Sequence, residues 1–339
     1  SDNIKVISAM ANGDIWIGTD FGASRFDGVD WTTYNTNTMQ SIPLISNQIK
    51  SIDEDPNTGI VWIGTNTGVT PLDLSGVTNS LSIGSSDLHW SGVNATAFDS
   101  NGDKWFASPL GGVTHYNGVN FTSFDTANGL LAQYATDLII DNQDRKWIGT
   151  LSGMSVLDAS NLSFIHHTRM YIMPPPDTLN PVVSIAIDSY GRIWTTIYVG
   201  YLAEGGVAYW NGSVWEDFDI SDGLVGPNVK GLAIDSQDNI WVATSTGVSK
   251  ISAIPSVVNE AEVLGTSIFP NPGNDMVYLS NQGQIIQKVK IYNNFGALIY
   301  TNNNPQEQYS IDISSFAQGL YYISFYFPDA ITSEKIIVN

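Results

Sequence analysis

The sequence predicts an all-β protein: a β-propeller of about six blades followed by a small Ig-like β-sandwich. Six tryptophans carry the first part of that expectation. Trp16, Trp62, Trp105, Trp147, Trp194 and Trp241 are spaced by 46, 43, 42, 47 and 47 residues. Each stands in the same local setting, as DIWIGT, IVWIGT, DKWFAS, RKWIGT, RIWTTI and NIWVAT, with a glycine step following at Gly22, Gly68, Gly112, Gly153, Gly206 and Gly247. A period in the forties with one large aromatic per unit suits four-stranded blades, because a single such sheet cannot bury both faces and must stack between neighbours. The period stops after Ser252, yet strand-like alternation continues to the end of the chain.

The third repeat shows the unit most clearly. Val93–Asp99 alternates as an inner strand, Ser100–Asp103 is a tight turn, Lys104–Ser108 carries the tryptophan, Gly112–Asn117 is a third strand and Asn120–Asp125 an outer fourth. Gly and Asn supply the turn conformations while β-branched and aromatic residues fill the strands. Repeats begin near Ile4, Gln48, Val93, Ala135, Val182 and Val229, and the sixth has no outer strand after Gly247–Ser252. Rings of this kind close by lending a terminal strand to the last blade, but only three residues precede Ile4. Two readings follow, a ring closed on an incomplete blade or residues upstream of Ser1 absent from this chain, and the second is preferred. The organisation expected is a propeller over 1–252, a linker over 253–266 and a β-sandwich over 267–339.

The repeat pattern D-x-x-G-x-x-W-I-G-T-x-x-G-V, followed by N-G-x-x-F-T-x-F, resembles the two-component regulator propeller repeat over about residues 4–252. That resemblance implies the extracytoplasmic sensor part of signalling proteins common in Bacteroidetes. No kinase follows here, so a signalling role does not transfer. The stretch N-I-W-V-A-T-x-x-G-V has a weaker likeness to propeller lyases that inactivate streptogramins.

The C-terminal segment carries an ordered series: Phe269-Pro270-Asn271-Pro272, Asp275, Gly296 within Ile291–Tyr300, Asp312 between Ile311 and Ile313, Gly319-Leu320-Tyr321, and Lys335-Ile336-Ile337. Taken together, these motifs resemble the type A sorting domain of the type IX (Por) secretion system. The resemblance implies passage across the outer membrane with that machinery as partner, followed by release or attachment at the cell surface. Pro270 and Pro272 also block helix at the entrance to the first strand.

Composition narrows the function classes. The chain has 33 acidic and 13 basic residues, a formal charge of −20. That balance argues against nucleic acid and anionic membranes, which need Lys/Arg patches. With no cysteine, thiolate metal sites and Cys nucleophiles are excluded. No apolar run approaches the roughly 20 residues of a membrane-spanning helix.

Residues that recur in register are read as structural, which removes the six tryptophans and leaves no catalytic residue assigned. The short acidic turns, with Asp99, Asn101 and Asp103 the best candidates, are too brief for an EF-type calcium loop and read as Asx turns, so no cofactor is expected and calcium stays a minor alternative. His115, His166 and His167 fall on strands, the latter two on opposite faces. What remains is off-register: the connectors Thr36–Asn47, Gly84–Gly92 and Arg169–Pro181, and an insertion in repeat 5. All emerge at one end of the ring. Trp90, Tyr171, Tyr198, Tyr201 and Glu204 are the candidate ligand-binding residues there, because aromatic faces stack on sugar rings and a carboxylate bonds hydroxyls. The function expected is a secreted or cell-surface binding module for glycan or protein. The alternatives are a lyase, in which His89 would join Tyr198, Tyr201 and Glu204, and a structural or adhesin subunit. A lyase predicts a deep axial pocket with a perturbed base, a glycan binder an aromatic groove, and a structural subunit an apolar edge patch.

Overall fold

A computed structural model of the chain describes residues 3–37, 43–74, 83–84, 88, 92–171, 180–198, 205–252, 267–280, 286–293, 298–303, 308–327 and 331–339. The chain divides into two compact units, a large one holding most of the repeats and a small one that includes Lys250–Asn339.

The repeats form the expected propeller. Sheet 1 pairs Ile4–Ala9, Ile15–Thr19, Gly22–Phe26 and Trp31–Tyr34 in sequence order, and sheets 2 to 5 repeat that antiparallel meander. Sheet 6 comprises three strands among the described residues, Val229–Ile234, Ile240–Thr244 and Val248–Ile251.

The first three tryptophans pack with the sheet that follows. Trp16 packs with Ile49, Ile52, Ile63 and Leu72 of sheet 2. Trp62 meets Phe98 and Phe106 of sheet 3 at ring-centroid distances of 6.3 and 5.9 Å, and Trp105 joins Leu138, Ile148 and Leu157 of sheet 4. An aromatic of this size buries about 200 Å², so each junction draws roughly 5 kcal/mol from one side chain. The glycine of W-I-G-T has its reason here. A Cβ on Gly18 would lie 2.5 Å from Ile49 Cγ2, and one on Gly149 would lie 2.5 Å from Val182 Cγ1. Only glycine lets the next inner strand come this close. The threonine that follows caps the turn, as Thr65 Oγ1 donates to Gly68 O at 2.8 Å and Thr150 Oγ1 to Gly153 O at 2.8 Å.

The acidic turns are latches on the tryptophans. Asp99, Asp141 and Asp188 each accept two backbone N–H groups of their own turn and then the indole N–H six residues on, at 3.0, 2.8 and 2.8 Å. Met10 holds this slot in sheet 1, where its N–H bonds Asp14 O as Asp99 bonds Asp103 O, and Trp16 Nε1 there has no partner among the described residues.

The two end sheets differ from the rest. Trp16, Trp62, Trp105, Trp147 and Trp194 are at most 7 % exposed, whereas Trp241 is 40 % exposed. Ile7 on the leading face of sheet 1 is 63 % exposed, while its counterparts Ile52, Leu138 and Ile185 are buried. These are the faces on which a further blade packs in a closed propeller.

The smaller unit has a three-stranded sheet, Ser267–Phe269, Met276–Ser280 and Gln308–Asp312, and a four-stranded sheet ordered Leu298–Asn302, Lys288–Asn293, Gly319–Tyr326, Ile331–Val338. Val277, Leu279 and Ile311 of the first share one apolar core with Val289, Ile291, Ile323, Phe325 and Ile336 of the second. Asn271 ties the entrance to the last strand, donating to Lys335 O at 2.6 Å and accepting from Ile337 N at 2.9 Å. Asp275 O accepts from Ile313 N, Asp312 is capped by the N–H and hydroxyl of Ser314, and Tyr321 OH donates to Ala317 O. Pro270 and Pro272 flank Asn271, Gly319 starts its strand at a φ of 155° that favours glycine, and Gly296 lies outside the described residues.

Candidate functional site at the propeller axis

The six inner strands converge on one cavity of about 520 Å³. Its lining is built in layers by the register of those strands. A register shift at the second residue of the inner strand recurs in sheets 1, 2, 4 and 5, between Ile4 and Val6, Ile49 and Ser51, Ala135 and Asp137, and Val182 and Ser184. A bulged residue leaves the ladder and its side chain is re-aimed. The residues so freed are Lys5, Lys50, Thr136 and Val183, and all four line the cavity. Sheets 3 and 6 contribute Asn94 and Lys230 at the matching positions of their sequences. The next layer holds Ser51, Asp137 and Ser184, and Asp53 stands about 10 Å beyond Lys50 along its strand.

The lysine layer opens at the end of the propeller where the connectors emerge, because each inner strand starts there. Backbone bonds join the connectors to the second turns at this end, as in Gly22 N to Asn47 O at 2.8 Å and Tyr198 N to Pro181 O at 3.1 Å.

Two carboxyl groups face the cavity. Burial pushes Asp53 up to about 7, with the charge of Asp137 adding to the effect, while Thr96 N–H donates to its Oδ2 at 3.1 Å. Asp137 is pushed up to about 6, again by burial, against the N–H groups of Ile185 and Leu138 at 2.7 and 2.8 Å. Both keep some accessible surface on the cavity they line, yet the surrounding protein penalises their ionisation. Each also bridges to the following sheet, Asp53 to Thr96 and Asp137 to Ile185.

Of the residues expected from sequence to bind ligand, Tyr198 lies beside this site without being among its lining residues. It is half-buried, and Lys230 Nζ lies 4.4 Å from its ring centroid. Tyr171 does not present its ring to solvent. It is 5 % exposed, its N–H bonds Asn180 Oδ1, and its ring lies so close to Gly206 that a Cβ there would be 2.6 Å from Cε2. Apolar packing against that backbone wins over exposure. Trp90, Tyr201, Glu204 and His89 lie outside the described residues. Lys5, Lys50, Lys230, Asp53 and Asp137 lie in the repeating inner strands and not in the off-register loops, so subtracting the repeat hides them. Their signal is present in the repeats: Ile-Lys, Ile-Lys and Val-Lys open inner strands 1, 2 and 6, and aspartates interrupt otherwise apolar inner strands.

Asp99, Asp103 and His115 lie close enough together to hold a cation. Asp99, however, directs Oδ1 at two backbone N–H groups and Oδ2 at Trp105, and Asp103 Oδ2 is 2.8 Å from His115 Nε2. These bonds supply a structural reason for the turn. His115 stacks on Trp105 at 4.4 Å, His167 stacks on Trp147, and among the described residues no histidine lines the cavity.

Residues 267–339 match the secretion system C-terminal sorting domain. No curated protein matches the chain. Among solved structures, the extracellular domain assigned to a hybrid two component system of B. thetaiotaomicron is similar over 99 % of this chain and 55 % of that one, at 18 % identity and a TM-score of 0.56. That of a one component system from the same organism gives 14 % identity, the same coverage and a TM-score of 0.59. The present chain thus spans about half the length of these relatives. A catalytically inactive variant of virginiamycin B lyase from Staphylococcus aureus, solved with quinupristin, is similar over 75 % of this chain and 82 % of its own, at 13 % identity and a TM-score of 0.55. At these identities the likeness establishes the fold. Among the described residues no helix is long and apolar enough to cross a membrane. The chain is a β-propeller of the kind seen in those extracellular domains, ending in a secretion system sorting domain that directs it to the cell surface or beyond.

Proposed function

We propose that this protein is an exported propeller that binds the end of a glycan in its axial cavity. The observation that carries the reading is the lining itself: every inner strand contributes, and the contributions include the hydroxyl of Ser184, the amide of Asn94, the phenol of Tyr134 and two carboxyls. Such a set suits a ligand covered in hydroxyls. A volume of about 520 Å³ falls in the range of about 300–1,000 Å³ typical of small-molecule sites and is too small for a folded partner. Tyr198 stands beside the cavity, its ring packed against Lys230. The sorting domain supplies the route of delivery, in which the type IX machinery recognises residues 267–339.

A lyase is the second reading, and the raised pKa of Asp53 favours it, since a carboxyl near 7 can exchange protons at neutral pH. The apolar faces of sheets 1 and 6 fit a further blade as well as a docked subunit, so they do not favour a structural role. One experiment separates binding from turnover. The full chain is titrated with a glycan panel while mass spectrometry follows the ligands. Binding with unchanged ligand mass supports the module, and an unsaturated product formed without addition of water that vanishes in Asp53→Asn establishes the lyase. A deletion of residues 267–339 is expected to hold the protein in the periplasm, and unaltered appearance at the surface would remove the delivery argument.

A further inference from the structure

We propose that the cavity is selective for an anionic sugar residue, one bearing a carboxylate or sulfate, which Lys5, Lys50 and Lys230 receive at its mouth. This rests on the glycan reading above and names the class of glycan. The chain has only 13 Lys and Arg residues in 339, against 33 acidic ones. Three of the 13 stand in this one cavity, each at the same position of its inner strand. Scattered solvation of an acidic surface does not produce such a repeat. In sheets 1 and 2 the lysine is the bulged residue, so the local backbone aims it away from the ladder and into the cavity.

These ammonium groups are weakly committed elsewhere. Lys5 reaches Asp20 at 3.5 Å in an exposed pair of the kind that contributes little. Lys230 lies over the Tyr198 ring. Lys50 has neither an ion pair nor a side-chain hydrogen bond among the described residues. Among the described residues, the other charged groups on the lining are Asp53 and Asp137, both set deeper, and Tyr134 is the remaining titratable one. With both carboxyls raised toward neutrality, the cavity carries positive charge at and below pH 7 although the whole chain is at −20. A neutral sugar leaves the three ammonium groups to water. A carboxylate or sulfate gives these exposed ammonium groups charge-assisted hydrogen bonds, and three of them at one mouth can act on the same anion. Meanwhile the hydroxyl, amide and carboxyl groups below remain for the sugar ring.

The test is calorimetric titration of the full chain with three probes: an oligogalacturonate, the same oligomer after carboxyl reduction, and a sulfated galactan. The proposal expects at least one anionic probe to bind about ten-fold or more tightly than the reduced oligomer, with the advantage shrinking as salt is raised. The carboxylate and sulfate arms show which anion is preferred. Lys50→Gln should remove most of that advantage by weakening the charged probe far more than the reduced oligomer, Lys50→Arg should restore it, and the melting temperature should stay constant in both. Equal affinity for the charged and reduced oligomers, or an equal loss for both in Lys50→Gln, overturns the anionic selectivity and leaves glycan binding standing. Failure of these probes and of a broad neutral panel overturns both.

Discussion

Replacing Asp188 by alanine removes the acceptor of four bonds at one blade junction. Its Oδ1 takes the N–H groups of Tyr190 and Arg192, both at 3.0 Å, and its Oδ2 takes Arg192 Nε at 2.5 Å and Trp194 Nε1 at 2.8 Å. The ion pair is buried, with the Arg192 side chain only 8 % exposed. In Asp188→Ala the buried guanidinium loses this counter-charge, a change that costs about 3–5 kcal/mol. At about 2–4 °C per kcal/mol for a domain of this size, the melting temperature should fall by roughly 10 °C. Asp99→Ala is the control. It strips the same two turn bonds and the indole bond of Trp105, but no arginine bonds Asp99, so about 1–3 kcal/mol is expected. All ten tryptophans precede residue 252, so tryptophan fluorescence reports the propeller without the tail. A shift for Asp188→Ala no larger than that for Asp99→Ala would refute the claim that burial of Arg192 makes this latch the stronger one.

Three further outcomes follow from the same structure. Trp194→Ala should cost about 3–5 kcal/mol and Trp241→Ala no more than about half of that, because Trp241 is 40 % exposed; equal losses in thermal melts would mean that the trailing face of sheet 6 is covered. Asp53 holds its proton more tightly folded than unfolded, so its favourable contribution is complete below about pH 4 and disappears as pH rises through about 7. Asp53→Asn, which keeps an oxygen for Thr96 N–H, should therefore melt above the parent at pH 8, with the gap closing toward pH 5; a gap independent of pH would contradict the assignment. Calcium or EDTA should leave the melting temperature unchanged, since the Asp99 oxygens already accept protein N–H groups, and a calcium-dependent rise abolished in Asp103→Asn would place a cation beside His115.

The propeller was legible because its constraints are local and repeated. The tryptophan, the glycine after it and the Thr-x-x-Gly turn each do one physical task six or fewer times, and subtraction of the repeat exposes the plan. The tail was legible through the order of its motifs, and Asn271 shows why one such residue matters, since it ties the first strand to the last. The site was far less legible. The inner strands are short, and a lysine opening Ile49–Glu54 reads as an exposed strand residue until the bulge re-aims it. Asp137 and Ile185 are 48 residues apart and meet only when two blades are stacked. Tyr171 misled for the opposite reason: a connector aromatic in sequence became packing once Gly206 left room for its ring.

The most direct test of glycan binding at the axis is a plug. Gly231 lines the cavity, and a Cβ built on it meets no atom within 4 Å, so a large side chain can enter the space without disturbing the strand. Titration of parent and Gly231→Phe with the best glycan ligand is the measurement. The account predicts saturable binding by the parent, its loss in Gly231→Phe, and the same melting temperature for both. Undiminished affinity in a folded Gly231→Phe would place the ligand elsewhere and contradict the assignment of the axial cavity.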